Sequence, residues 1–289
     1  MGEVRTAIVN ACTTEGWTWD ASVDVLWKDT KFVKITTGAN NSLALLGRTA
    51  LTTGAAPTVV WIGDYSDAYS PASNTITFPL TYHIFVFAEE VFCTINYATF
   101  DYQMLAFGKS SQCDHIGTGL WVYAPLTSSV RAPYRSMRTP SNRYGRYGSA
   151  MGKFESVSSY DSTQIHNNID PTFPWATGYG IDKAIAKGHF LILGQEKLLL
   201  ASPNQFNNEG VLLPVRIFKR HASDFHSLIL EVQNMRELRI DNYDPGEIIQ
   251  LGSEYWMVLP WWRKNLVDRG GNSTSHSGTY GYAIRYEPV

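Results

Sequence analysis

The sequence predicts a mainly β protein of antiparallel sheets, sandwich- or barrel-like, with a short N-terminal helix and at most α+β character. Three observations predict it. Past Gly16 the apolar residues change from helical spacing to alternation. β-branched and aromatic runs then recur along much of the chain, and Gly or Pro separates them at short intervals.

Residues 4–15 place Val4, Ala7, Ile8, Ala11 and Cys12 at i, i+3, i+4 spacing, and Gly16 supplies the residue expected just past a helix end. Alternation begins at Phe32-Val33-Lys34-Ile35-Thr36. Residues 58–62 are β-branched and aromatic, and 82–87 form a further strand candidate. Gly38, Gly47, Gly54, Gly63 and Pro71 read as turns between these runs. Residues 91–97 follow 82–87 across Glu89-Glu90, which suits a hairpin, and 102–107 continue the meander up to Gly108. The stretch 17–107 therefore reads as antiparallel sheet.

From 108 to 187 Gly, Ser, Tyr, Asn and Arg dominate, and periodicity is lost between Ser128 and the neighbourhood of Asp170. A loop of that length usually serves contact. Strand signals return at 189–193, 211–218, 238–240, 248–251 and 255–259, while 225–232 fits either a strand or a short helix. Asp244-Pro245-Gly246-Glu247 and Gly252-Ser253-Glu254 mark two turns by their Pro and Gly chemistry. The organisation expected is a β-rich region at 1–127, an Arg/Tyr/Gly-rich loop insertion at 128–187 and a β-rich region at 188–289, the two β-rich regions folding separately or as one domain.

The chain has 289 residues, enough for a large core. Only 17% of its residues are charged, against about 25% in an average domain, so much of its surface is expected to be uncharged or covered by partners. The net charge of −2 provides no global field for nucleic acid or an anionic membrane. Cys12, Cys93 and Cys113 form no C-x-x-C pair and fit reduced, structural thiols. The N-terminal residues lack a basic stretch followed by an apolar one, and no run of membrane-spanning length occurs; neither secretory export nor membrane insertion is expected.

Catalytic and metal-binding patterns are sparse. His221 and His226 stand five apart, unlike the usual zinc spacings, and Cys113, Asp114 and His115 are adjacent, so on a strand they point to opposite faces. Gly117-Thr118-Gly119 is half of a dinucleotide motif. No metal, cofactor or catalytic residue is expected, although carboxylates and aromatic rings leave a glycosidase as the least supported class.

Arg131, Arg135, Arg138, Arg143 and Arg146 interleave with Tyr134, Tyr144 and Tyr147, and no acidic residue occurs from 116 through 154. This pattern suits a protein-contact surface, a solvated basic loop or a strip that grips nucleic acid. Near the C-terminus Trp256, Trp261, Trp262 and Arg263 form either an aromatic anchor or the closure of a sheet-edge core.

Two groups of residues carry a resemblance. Phe78-Pro79-Leu80-Thr81-Tyr82-His83-Ile84-Phe85, Ile95-Asn96-Tyr97 and Tyr102-Gln103-Met104-Leu105-Ala106-Phe107-Gly108-Lys109-Ser110 form the first. Trp256-Met257-Val258-Leu259-Pro260-Trp261-Trp262-Arg263-Lys264 and His276-Ser277-Gly278-Thr279-Tyr280-Gly281-Tyr282-Ala283-Ile284 form the second. In these the chain resembles a family of uncharacterised virion structural proteins of tailed phages and prophages. The resemblance implies a non-enzymatic virion subunit assembled in the host cytoplasm and placed in the neck or tail, as a tail-terminator or collar-like ring. It implies contacts with copies of itself and other virion proteins, and transient contact with genomic DNA. A baseplate or tail-tip protein with receptor or glycan binding is the alternative.

Overall fold

A computed structural model describes residues 1–64, 75–113, 116–127, 163–169, 171, 174–178, 189–191, 212–220, 226–265, 267 and 279–287. The chain opens with helix α1 (Gly2–Thr14), which buries Val4, Ile8, Val9 and Cys12 on one side. It ends as expected: Gly16 adopts φ 81°, and the Trp17 N–H returns to the Cys12 carbonyl at 3.0 Å.

Strands β1 (Thr18–Asp20), β2 (Val25–Lys28), β3 (Lys31–Gly38), β4 (Ser42–Arg48) and β5 (Val60–Ile62) form successive antiparallel neighbours. The meander β6 (Thr81–Val86), β7 (Glu90–Ala98), β8 (Asp101–Lys109) and β9 (Leu120–Tyr123) belongs to a second sheet. β10 (Leu126–Thr127) then crosses back to pair with β5. The remaining strands are β11 (Thr163–His166), β12 (Trp175–Gly178), β13 (His189–Leu191), β14 (Leu213–Arg220), β15 (His226–Arg239), β16 (Ile248–Leu251), β17 (Glu254–Pro260) and β18 (Tyr280–Tyr286). They complete a 12-stranded sheet ordered β16-β17-β18-β15-β14-β13-β12-β11-β9-β8-β7-β6, beside a 6-stranded sheet ordered β1-β2-β3-β4-β5-β10. Among the described strands, pairing is antiparallel except between β12 and β13.

Alternation assigns the layers. In β7 to β9, Phe92, Met104, Ala106, Trp121 and Tyr123 enter one core, whereas Val91, Cys93, Leu105, Phe107 and Val122 enter another. These strands are buried on both faces, which is why they read as nearly continuous apolar runs. The first core also receives Val215, Ile217, Leu230, Leu259, Tyr282 and Ile284, so the large sheet curls into a half-barrel that brings β6–β9 opposite β14–β18. The second core fills the space between β7–β9, the small sheet and α1. A smaller cluster of Leu238, Ile240, Trp256, Val258 and Ala283 lies on the outer face of β15, β17 and β18.

The protein is thus mainly β, and several boundaries correct the sequence expectations. Gly47 lies within β4: the Trp175 ring from β12 occupies the space where a Cβ would stand, 2.6 Å from the ring's Cη2. Gly108 likewise lies within β8, pressed against the Glu89 carbonyl and Trp121. The 128–187 insertion contains β11 and β12, whose buried Thr163 and Gln164 conceal the apolar pattern of a strand. Residues 226–232 resolve as strand.

Candidate functional site

The aromatic C-terminal group is core. Trp256, Trp261 and Trp262 are all buried; Trp261 stacks on Tyr280 at 5.1 Å between ring centroids, and the Arg236 guanidinium lies 5.0 Å from the Trp256 ring. Of the two readings of this segment, core closure is the one the geometry supports, because buried rings have no face left for a partner. Arg263 is the partly exposed member, lying over Trp262 and bonded to the Asp101 carboxylate. Arg131, Tyr134, Arg135, Arg138, Arg143, Tyr144 and Arg146 lie outside the described residues, as do His221, Asp114 and His115.

Several buried polar groups that the sequence did not single out tie the layers together. Gln103 on β8 takes the Gly63 N–H at 2.8 Å and donates to the Gly63 carbonyl at 3.0 Å. Gln164 on β11 engages both backbone groups of Thr58 in the same way, at 3.4 and 2.9 Å. Each side-chain amide acts as a short strand, joining the small sheet to the large one. Lys31, almost fully buried, pairs with Glu89 at 2.8 Å and lies 5.6 Å from the Trp17 ring centroid.

The most elaborate arrangement surrounds a bulge in β15. Val232 pairs with Val215, yet Arg236 pairs with Pro214, which leaves Gln233, Asn234 and Met235 without partners on β14. Glu90, fully buried on β7, accepts the N–H groups of Gln233 and Asn234, each at 2.8 Å, and the Asn234 side-chain amide at 3.0 Å. The Arg236 guanidinium donates to the carbonyls of Val232, Gln233 and Met235. Burial pushes the Glu90 carboxyl up from the ordinary carboxylate range, partly offset by the bonds from Gln233 and Asn234.

The outward-facing candidate is a cleft of about 390 Å³ where β6 meets the ends of β17 and β18. Tyr82, His83 and Phe87 line one wall; Met257, Arg285, Tyr286 and Glu287 line the other. Burial lowers the His83 pKa, which disfavours its imidazolium form. Bordering the cleft, β6 is the terminal strand of the large sheet. The Phe87 N–H bonds to the Glu90 carbonyl at 2.8 Å, which fixes the phase of the β6–β7 ladder. Residues 81, 83 and 85 therefore face β7, and Tyr82, Ile84 and Val86 turn their backbone groups to the free edge.

β16 ends the same sheet on the other side. The Val258 N–H bonds to the Glu247 carbonyl at 2.8 Å, so 247, 249 and 251 face β17 while Ile248 and Gln250 face outward. Among the described residues, no group of three or more His, Cys, Asp and Glu is placed to hold a metal ion, and no helix is long and apolar enough to cross a membrane.

The chain matches no family model and no curated protein. The chemistry this site offers is therefore read from its geometry: an open strand edge with aromatic and cationic groups beside it is suited to binding an extended segment. Sequence reasoning identified β6 and β16 as strands. Their edge positions depend on strand order, for which a single sequence carries no direct signal.

Proposed function

We propose that the chain is a non-enzymatic structural subunit of a tailed-phage virion, assembling with copies of itself and with neighbouring virion proteins in the neck or tail, in a tail-terminator or collar-like ring. The observation that carries this reading is that, among the described residues, one continuous sheet has no strand paired to the outer side of β6 or β16, with exposed apolar residues at both ends. Phe78 (55% exposed) and Tyr82 (40%) stand at the β6 end, and Ile248 (38%) and Leu251 (47%) at the β16 end. Exposed apolar edges are unfavourable for a solitary subunit and useful in an assembly. The segments that resemble phage virion proteins also supply much of this architecture: 78–110 spans β6 to β8, while 256–264 and 276–284 include most of β17 and β18.

Electron microscopy of the purified chain, with immunogold labelling of intact particles, tests the proposal. Rings together with label at the head–tail junction are expected. Label at the distal tip would instead favour a tail-tip binding protein, a reading to which Tyr82, Tyr286 and Arg285 in the cleft lend some chemistry. A solitary monomer missing from particles would end the structural reading.

A further inference from the structure

The two free edges differ in character, which bears on how copies would join. The β6 edge presents the backbone groups of Tyr82, Ile84 and Val86 along a cleft that contains Arg285, 40% exposed, and Glu287, whose carboxylate pairs with it at 4.0 Å. No carboxylate occurs in residues 75–88. The β16 edge presents Ile248 and Gln250 on a hairpin that carries Asp244, Glu247 and Glu254, and no Lys or Arg occurs from 240 through 262. One edge is recessed beside the exposed Arg285–Glu287 pair; the other belongs to a short, acidic, exposed hairpin.

Resting on the assembly reading above, we infer that β16 of one copy adds antiparallel to β6 of the next, so that the 12-stranded sheet continues from subunit to subunit through Tyr82, Ile84 and Val86 on one side and Ile248 and Gln250 on the other. Two outward residues on the shorter edge supply about four backbone hydrogen bonds when paired as hydrogen-bonded couples. Pairing Ile248 with Ile84 and Gln250 with Tyr82 puts Ile248 on the same face as the exposed Tyr82, and the hairpin's carboxylates lie toward Arg285. Because the joined surfaces are different patches, the contact is head-to-tail: it propagates and closes into a ring where the rotation per subunit permits. Pairing an edge with itself would stop at a dimer.

Proline at an outward-facing strand position removes the outer donor while sparing the inner ladder. Tyr82→Pro disables the β6 edge and Gln250→Pro the β16 edge, both at exposed side chains. Mass is read by light scattering after gel filtration across a concentration series, with thermal melting as the folding control. The wild type is expected to form oligomers and each variant to be monomeric. A mixture of the two variants is expected to form dimers and nothing larger, because it restores one intact junction per pair. If either proline variant fails to melt cooperatively, Tyr82→Glu and Ile248→Lys replace the pair, since each puts a charge on its edge that the opposing edge repels. Oligomers unaffected by both substitutions would overturn edge pairing while leaving the assembly reading in place. Loss of assembly with only one of the two variants would show an edge pairing with itself and overturn the head-to-tail arrangement. A wild type that stays monomeric throughout the series would overturn the second copy as occupant.

Discussion

The Glu90 carboxylate lies against Asn234 across 144 residues of sequence, accepting its backbone N–H at 2.8 Å and its side-chain amide at 3.0 Å. With Arg236 bonded to the carbonyls of the same bulge, an acid and a base between them satisfy backbone groups that the β14–β15 ladder leaves free. Bulges disrupt pairing, and buried backbone groups without partners are costly. Glu90 on β7 therefore helps join the two walls of the half-barrel, while Arg236 closes the bulge within its own strand.

Replacing Glu90 by Ala leaves those donors buried without their acceptor, and a loss of about 3 kcal/mol in folding stability is expected. Urea unfolding followed by tryptophan fluorescence measures it. A loss below about 0.5 kcal/mol would mean that water or a neighbouring group takes over the bulge.

Glu90 also sets a pH dependence. Its folded-state pKa is raised by burial, so its protonated form favours the fold: that contribution is complete below the ordinary carboxylate value and is lost as pH rises through the raised one. Relative to Glu90→Gln, wild-type stability is expected to fall over that interval. Paired denaturation curves at acid and neutral pH read the difference, and curves that stay parallel would contradict the assignment.

Gln103 is expected to behave as a joint between sheets. Gln103→Leu keeps a similar volume but orphans both backbone groups of Gly63, with an expected cost of about 2–4 kcal/mol. Hydrogen exchange at the Gly63 amide should accelerate along with the loss of stability; unchanged protection would show another acceptor for that N–H.

Gly47 and Trp175 are expected to couple. A methyl group at 47 meets the indole at 2.6 Å, so Gly47→Ala should cost about 1–3 kcal/mol. Trp175→Phe, which withdraws the outer ring, should recover part of that loss in the double variant. Additive losses would indicate that the two positions do not interact.

Cys12 and Cys93 are buried, free thiols, with the Cys12 pKa pushed up to about 12 by desolvation and that of Cys93 raised as well. The thiolate is the reactive form, so neither should be alkylated at neutral pH in the folded protein, and both should be after denaturation. Peptide mass mapping after iodoacetamide treatment distinguishes the sites. Rapid native labelling of either would mean that α1 opens readily, since Cys12 lies on it and packs in the same core as Cys93.

Much of the β architecture was legible in the sequence because its signals are local. The helix, the β6–β8 meander and the β16–β17 hairpin follow from apolar spacing and from Gly16 and Gly252 at their turns. β11 was hidden because Thr163 and Gln164 are buried polar residues, and β4 was obscured because a glycine suited to a turn equally suits a strand that receives an indole. The tryptophans at 256, 261 and 262 announced tight packing, but whether they faced a partner or the interior depended on what lay opposite them. Composition and periodicity by themselves determined that this chain folds as mainly β with a short N-terminal helix. Tertiary structure alone decided that Glu90 meets Asn234 and that β6 and β16 end the sheet, because strand order and the burial of a particular charge arise from contacts between residues far apart in the chain.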